Sequence, residues 1–209
     1  MIELKKVSKS FGEKIIFTDL SYKINNGEFV AIVGKSGCGK STLLNIIGLL
    51  DFDYTGEVLF NGKDVAMLKE KQVNEYIRNN INYLFQNYAL IDDESVEYNL
   101  LLALEYEKIP LKEKKEKVSE ALDKVGLASY NNKKVYTLSG GEQQRVALAR
   151  IMLKKGDIIL ADEPTGNLDN SNARKVMSIL KQLNKQGKTI IMVTHNEQLA
   201  QECDAILHL

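Results

Sequence analysis

Residues 29–42 hold the pattern that restricts the fold of this chain most strongly. The apolar run Phe29-Val30-Ala31-Ile32-Val33 leads directly into Gly34-Lys35-Ser36-Gly37-Cys38-Gly39-Lys40-Ser41-Thr42, which fits the phosphate-binding pattern G-x-x-x-x-G-K-[ST]. From Lys40 onward, apolar residues recur at the spacing of one helix face. A buried strand, a glycine-rich loop and a helix in this order are the context in which the pattern indicates a triphosphate site. The sequence therefore predicts an α/β fold around a parallel sheet.

The glycine-rich loop supplies the groups that a triphosphate needs. Its three glycines let backbone N–H groups approach an anion, and the helix that follows adds the positive end of its dipole. We expect Lys40 to reach the β- and γ-phosphates, Ser41 to ligate magnesium and Thr42 to contact the α/β phosphates. The strand–loop–helix setting disfavours the alternative of a glycine turn that only caps a helix. The loop residues assigned to nucleotide binding are Gly34, Lys35, Ser36, Gly37, Cys38, Gly39, Lys40, Ser41 and Thr42.

A second apolar run, Ile158–Ala161, ends in two carboxylates. A buried strand here would deliver Asp162 to the magnesium shell, and Glu163 would follow where it can polarise a water molecule. Adjacent carboxylates after a strand are also common at the starts of helices. The phosphate-binding loop upstream favours the catalytic interpretation of Asp162 and Glu163.

Composition narrows the classes of partner. Lys plus Arg and Asp plus Glu both number 28, so the net charge is zero, and no nucleic-acid partner is expected. No apolar run approaches the roughly twenty residues of a membrane span, and the first residues do not form a signal peptide, so we expect a cytoplasmic location. Cys38 and Cys203 lack metal-ligand spacing, which disfavours a disulfide or zinc site.

The order of elements predicts one domain, 1-209, with a helical insertion. Short strands are expected before residue 34, and further strands over 56–61, 80–85, 157–162 and 189–194. Helical patterns cover 95–107, 112–125, 141–154 and 172–186, and Pro110 separates the first two. We assign 1–86 and 155–209 to a nucleotide-binding core and 87–154 to a helical subdomain.

A second glycine-rich turn, Leu138-Ser139-Gly140-Gly141-Glu142-Gln143-Gln144-Arg145, lies about a hundred residues after the first. Its segment Ser139–Gln143 matches the signature sequence of ATP-binding cassette proteins, and the whole chain resembles the ATP-binding subunit of an ABC transporter. The resemblance implies a P-loop NTPase fold: a RecA-like parallel-sheet core with N-terminal antiparallel strands, interrupted by an α-helical subdomain. It also implies that the signature of one subunit binds, in trans, the nucleotide held by another. The signature residues assigned in this way are Ser139, Gly140, Gly141 and Glu142.

Four further positions match the family. By resemblance, Gln86 would contact magnesium and the attacking water, and His195 would hydrogen-bond the γ-phosphate and steady Glu163. Asp169, in Asn167-Leu168-Asp169, would lie in the loop that meets its symmetry mate. Phe11 lies where the family stacks an aromatic ring on adenine, although an aromatic near a strand end is more often a core residue. The predicted catalytic set is thus Glu163, His195, Gln86 and Lys40, and the predicted metal ligands are Ser41, Gln86 and Asp162.

The resemblance implies an ATPase that uses ATP and Mg²⁺, forms an ATP-dependent homodimer and drives integral membrane permease subunits from the inner face of the cell membrane. Thr165–Asp169 and Leu49-Leu50-Asp51 resemble the subgroup that serves lipoprotein release, macrolide efflux and antimicrobial-peptide or bacteriocin export. Export of a peptide, lipid-like or drug-like substrate is therefore expected. The alternatives are a soluble cassette ATPase in translation or DNA maintenance, and a nucleotide-responsive module without turnover.

Overall fold

A computed structural model describes all 209 residues of the chain. The elements of its first half are β1 (Ile2–Phe11), β2 (Lys14–Ile24), β3 (Phe29–Val33), α1 (Lys40–Ile47), β4 (Thr55–Phe60), β5 (Lys63–Asp64), α2 (Glu70–Asn80) and β6 (Ile81–Leu84). Those of its second half are α3 (Val96–Leu101), α4 (Leu111–Lys124), α5 (Gly140–Leu153), β7 (Ile158–Asp162), α6 (Asn170–Lys185), β8 (Thr189–Val193), α7 (Glu197–Ala200) and β9 (Ala205–His208).

The central sheet has the strand order β6-β7-β8-β3-β9. Strands β7, β8, β3 and β9 pair in parallel, and all five residues of β3 and of β8 are buried. Continuous apolar strands of this kind are covered on both faces, as the sequence predicts. Because parallel strands end at one edge, the residues that follow β3, β7 and β8 meet there, namely Gly34, Glu163 and Thr194.

A separate antiparallel sheet has the order β2-β1-β4-β5. The sequence predicts short strands before residue 34, but β1 and β2 are single strands of 10 and 11 residues. Their pairing shifts register between Leu4 and Val7, where Lys6 has φ 49°. Irregularities of this kind interrupt the alternation of apolar and polar residues, which is why one long strand reads as several short ones.

Helix α2 has no counterpart in the sequence-based assignment. None of its residues is fully buried, and its contact with the core runs through the partly buried Val73, Tyr76 and Ile77. The Tyr76 ring meets Phe60 edge-on, with centroids 5.2 Å apart. A mostly polar helix with so few apolar residues offers only a weak periodic signal.

The helices between residues 96 and 153 follow the prediction, apart from the length of α3. The predicted helix over 95–107 ends as an α-helix at Leu101 and continues as a 3₁₀ turn, Leu102–Leu104. Ser95 caps α3 by accepting the Tyr98 N–H at 3.1 Å. Pro110 directly precedes α4, as expected for a residue that cannot continue a helix.

The chain packs as two compact units. One comprises Met1–Tyr83, Gly156–Glu163 and Leu183–Leu209, and the other comprises Leu84–Lys155 and Pro164–Gln182. The predicted division into a core and a helical subdomain remains a prediction, but residues 164–182, assigned to the core from the sequence, pack with the helical segments. No helix of the chain combines the length and the apolar character that crossing a bilayer requires.

Candidate nucleotide site

The glycine-rich loop joins β3 to α1 and leaves the start of that helix open. Gly39 precedes α1 with φ 101° and provides no side-chain cap. The first intrahelical bond runs from the Leu43 N–H to the Gly39 carbonyl at 2.8 Å. The N–H groups of the helix's first turn therefore have no intrahelical acceptor and are available to an anion.

Lys40 is a buried side chain that folds back over this loop. Its Nζ donates to the carbonyl oxygens of Gly34 and Lys35, each at 2.9 Å. An ammonium group has three N–H donors, so these two bonds leave one for a ligand. The loop thus positions one positive charge and a set of backbone donors together, which is what a polyphosphate requires.

Gly39 packs directly against β2. A methyl group at this position would lie 2.2 Å from Cγ2 of Ile16, whereas a methyl group at Gly37 would meet no atom within 4 Å. Both glycines have positive φ, 101° at Gly39 and 77° at Gly37. The two positions therefore share backbone strain but differ in space.

We expect Gly39→Ala to lower the free energy of unfolding by about 3 kcal/mol, because overlap with Ile16 adds to the strain of a positive φ. Gly37→Ala carries the strain alone and should cost about 1 kcal/mol. Urea unfolding of both variants measures the difference. Equal losses in the two variants would contradict the close packing of the loop on β2.

Ser41 and Asp162, two of the predicted magnesium ligands, lie side by side. The Ser41 hydroxyl donates to Asp162 Oδ1 at 3.0 Å. Burial raises the pKa of Asp162 and the neighbouring Glu163 adds to this, while the bond from Ser41 and the charge of Lys40 act in the opposite direction. A hydroxyl and a carboxylate are hard oxygen donors, which fit magnesium.

Glu163 follows β7 in a strained conformation. Its φ is 45°, and its N–H donates to the Val193 carbonyl of β8 at 3.0 Å. The Nδ1 atom of His195 lies 3.4 Å from Glu163 Oε2, with the histidine side chain 64% exposed and the glutamate side chain 26% exposed. Backbone strain in a non-glycine residue is uncommon and concentrates at functional sites, and here it orients a carboxylate.

Ser139 caps helix α5, and Glu142 completes the cap. The Glu142 carboxylate accepts the Ser139 N–H and the Ser139 hydroxyl, each at 2.8 Å, and the Tyr130 hydroxyl at 2.7 Å. The Ser139 N–H, then the Tyr130 and Ser139 hydroxyls, hold the pKa of Glu142 down at about 2. Glu142 is thus a charged support for the signature turn, and its assignment as a nucleotide ligand remains a prediction.

Asp169 precedes α6 and is tied to Asn172. The Asn172 N–H donates to Asp169 Oδ1 at 3.0 Å, and the Asn172 side-chain amide donates to Oδ2 at 2.5 Å. These two bonds, the backbone one first, lower the pKa of Asp169. Asp169 itself is exposed, which is compatible with its predicted place in an intersubunit loop.

The family model described as ABC transporter matches residues 17–166, most of the chain. The chain belongs to the ABC transporter family. This match confirms the family expected from the two glycine-rich turns, and together with the solved cassettes below it confirms the fold class and the ATPase class.

The chain is similar to named export proteins over its full length. It is 40% identical to the macrolide export ATP-binding/permease protein MacB of Aggregatibacter actinomycetemcomitans, and 39% identical to the pyoverdine export ATP-binding/permease protein PvdT of Pseudomonas fluorescens. All of the chain is aligned in both cases, but only 33% of each relative. The chain therefore spans about one third of the length of the curated relatives that it matches.

Solved structures agree with the fold. The dimeric structure of the bacterial ABC transporter cassette MJ0796 superposes with a TM-score of 0.91 at 38% identity, covering 100% of this chain and 94% of that one. A post-hydrolysis state of MJ0796 bound to ADP and Pi superposes with a TM-score of 0.90 at 37% identity, with the same coverage. The second match is to a cassette with hydrolysis products bound.

Phe11, Gln86 and His208 all have exposed side chains. Phe11 ends β1 with 54% of its surface exposed, so the core alternative is excluded, while adenine stacking remains a prediction. Gln86 is exposed and lies two residues after β6, because this strand ends at Leu84, one residue earlier than predicted. It belongs to the helical unit, and its catalytic and metal-binding roles remain predictions. His208 pairs with Val33 across the sheet and is exposed, with no assigned role.

The segment after Gln86 is held in place by an arginine that the sequence analysis did not select. Tyr88 and Ala89 both have positive φ, 63° and 48°. Arg150, on α5, donates to the Tyr88 carbonyl at 2.9 Å and also to the Ala89 carbonyl. Burial lowers the pKa of Arg150. One turn of the signature helix therefore fixes the segment that directly follows Gln86.

Two further side chains that contact predicted site residues, Lys9 and Asn172, were not selected from the sequence. Lys9 is buried, pairs with Asp51 at 2.9 Å and Asp53 at 3.2 Å, and places its Nζ 4.7 Å from the centre of the Phe11 ring. Nothing in the local sequence marks a lysine on a β-strand as buried. Asn172 had a usable signal, because Asp169 followed three residues later by an amide resembles a helix-capping pattern.

Proposed function

We propose that this cassette dimerises around two molecules of ATP with magnesium and that hydrolysis drives a membrane-spanning permease in export. The observation that carries the proposal is the convergence of Lys40, the Ser41–Asp162 pair and the Glu163–His195 pair within one packing unit. These are the positioning, metal-binding and water-activating parts of a phosphoryl-transfer site.

The phosphate-binding part of the mechanism rests on the loop. The first-turn N–H groups of α1 and the remaining donor of Lys40 hold the phosphates and stabilise charge on the transferring phosphoryl group. Ser41 and Asp162 supply oxygen ligands for magnesium. Magnesium held there would neutralise negative charge on the phosphates.

Hydrolysis itself depends on Glu163. Its carboxylate accepts a hydrogen bond from the attacking water and orients that water for in-line attack. The hydrogen bond from the Glu163 N–H to the Val193 carbonyl fixes the glutamate backbone, and His195, 3.4 Å away, fixes the position of the carboxylate. His195 would also contact the γ-phosphate, which is consistent with its exposure.

A second subunit would complete each site. Ser139 precedes the first turn of α5, whose N–H groups suit an anion, and the Ser139 hydroxyl would turn from Glu142 to the phosphate of the partner. Asp169 lies in an exposed loop suited to contact its counterpart. Support comes from MJ0796, a solved relative whose cassette is dimeric.

The membrane partner is proposed from surface chemistry and from the relatives. Tyr88, Leu90 and Ile91 offer apolar contact beside the acidic stretch 92–94, and Ile91 is 45% exposed. The relatives MacB and PvdT are named export ATP-binding/permease proteins, which favours transport over a role in translation or DNA maintenance. The cassette would then lie on the cytoplasmic face of the membrane.

We expect the tagged protein, extracted from membranes of its own cells in mild detergent, to carry an integral membrane permease in stoichiometric amount. The permease would be either a separate subunit or a covalent continuation of the chain. Mass spectrometry of the purified complex identifies it. Recovery with ribosomes or DNA, and with no integral membrane protein, would contradict the proposal.

A further inference from the structure

Asn172 lies in the first turn of α6, between two segments that the proposed function places at a subunit interface. One segment is the signature turn at the start of α5, and the other is the loop that ends at Asp169. All of these residues belong to the same packing unit. The side chain of Asn172 contacts both segments.

On one side, Asn172 holds Asp169. Its side-chain amide donates to Asp169 Oδ2 at 2.5 Å, and its backbone N–H donates to Oδ1 at 3.0 Å. Both carboxylate oxygens are therefore engaged by a single residue. The carboxylate, although exposed to solvent, has a defined direction.

On the other side, Asn172 holds the signature helix. Its Oδ1 accepts a bond from Arg145 Nη1 at 2.9 Å. A methyl group added at Gly141 would lie only 2.7 Å from Asn172 Cγ. The amide group of Asn172 thus occupies the space that a side chain at Gly141 would need.

The amide group suits this position chemically. Its oxygen accepts from a cation while its nitrogen donates to a carboxylate, so both neighbours find a partner. A carboxylate here would still accept from Arg145 but would repel Asp169. An apolar side chain would satisfy neither neighbour.

We infer that Asn172 is a positioning residue that fixes the Asp169 loop to the signature turn within one subunit, so that both are presented together to a partner subunit. The inference rests on the proposed function only in its reference to the partner. The contacts of Asn172 with Asp169 and Arg145 lie within a single chain, so they can be tested without a partner subunit.

The first test is hydrogen exchange of the monomeric chain without nucleotide. We expect Asn172→Ala to raise amide exchange in residues 139–145 and 166–171 by about tenfold in both segments, because bonds to charged groups on both sides are lost. Ser171→Ala, an exposed neighbour in the same turn, should leave both segments unchanged. Unchanged exchange in Asn172→Ala would overturn the inference.

Asn172→Asp separates the two contacts. It keeps an acceptor for Arg145 and places a second negative charge beside Asp169, so exchange should rise in 166–171 and not in 139–145. This variant also serves if Asn172→Ala does not fold. An equal rise in both segments would contradict the assignment of the two contacts.

Swapping the Asp169 carboxylate and the Asn172 amide tests whether the two side chains make a specific contact. The double variant Asp169→Asn with Asn172→Asp restores a carboxylate–amide pair, and it should return exchange in 166–171 toward the wild-type rate. A purely structural loss would not be repaired by adding a second substitution. If hydrogen exchange in 166–171 stays fast in the double variant, the result counts against the inference.

The second test concerns the partner. In a Glu163→Gln background with ATP, we expect Asn172→Ala to raise the protein concentration for half-dimerisation by about tenfold, with ATP binding to the monomer unchanged. Ser171→Ala should dimerise as the background does. Dimerisation unaffected by Asn172→Ala would overturn the inference, whereas failure of the background itself to dimerise would reject the proposed function, and the exchange results would then decide the inference alone.

Discussion

Glu163→Gln is expected to lower kcat for ATP hydrolysis by about 10²–10⁴-fold, the contribution typical of a positioned general base. The amide is close to isosteric with the carboxylate but cannot accept a proton from water. The N–H of residue 163 still donates to Val193, so the strained backbone should be retained. Affinity for ATP should stay near the wild-type value, because the phosphate-binding loop is untouched.

The same variant should accumulate an ATP-bound dimer. If two subunits enclose each nucleotide, a chain that binds without hydrolysing cannot reopen by turnover. Sedimentation with and without ATP measures the dimer, and phosphate release measures kcat. For the wild type, activity should rise more steeply than linearly with protein concentration.

Glu197→Gln is the matched control. Glu197 is an exposed glutamate in the first turn of α7, close in sequence to His195, and its substitution should leave turnover unchanged. Wild-type turnover in Glu163→Gln would reject the catalytic role of that residue. A strictly monomeric Glu163→Gln protein at saturating ATP, with linear wild-type kinetics, would reject the shared site.

Lys40→Ala should lower the affinity for ATP by about 10²-fold and reduce hydrolysis below detection, since a bond to a charged group contributes about 1.5–3 kcal/mol. The loss has two origins. The phosphates lose contact with a positively charged group, and the carbonyls of Gly34 and Lys35 lose the donor that holds the loop. Equilibrium binding of a fluorescent ATP analogue gives the affinity.

Mixing Lys40→Ala with a signature variant tests whether each site is shared. Ser139→Asp removes the hydroxyl that donates to Glu142 and places a negative charge beside that carboxylate, where the partner's phosphate is proposed to bind. Each variant alone should be inactive. A mixed dimer contains one site with an intact loop and an intact signature, so the mixture should recover up to about a quarter of wild-type activity.

Mixing Lys40→Ala with Glu163→Gln is the matched control. Both substitutions damage the loop-bearing half of a site, so no mixed dimer contains an intact site and no activity should return. Recovery in both mixtures would indicate contamination by wild-type protein. Absence of recovery in the Ser139→Asp mixture would reject a site composed from two subunits.

The secondary structure could be predicted where a pattern is dense and continuous. Strands β3, β7 and β8 are buried on both faces and read as unbroken apolar runs, so their bounds were predicted within one residue. The bulged β1 and β2 and the polar helix α2 were not, because their apolar positions follow no single period. Register and packing, rather than local preference, define those elements.

The residues of the candidate site likewise divide into those that a sequence motif predicts and those that it does not. Lys40, Ser41, Asp162 and Glu163 could be predicted as site residues because each lies within a short contiguous motif, and chemistry restricts the residue type at each position. The family and the enzyme class followed from the same motifs together with Ser139–Gln143. The amino-acid sequence is sufficient to predict these residues, since a loop, a strand end or a helix start is a local structure.

Only the tertiary structure decided which side chains support those motifs. It placed Tyr130 on Glu142, Lys9 beneath Phe11, Arg150 on the Tyr88 carbonyl and Asn172 between Asp169 and Arg145. Most of these pairs are separated by many residues, and each depends on how strands and helices pack. The amino-acid sequence by itself determined what chemistry the chain contains, whereas the folded structure determined which distant groups orient that chemistry, because hydrogen bonds act over about 3 Å in space and not along the chain.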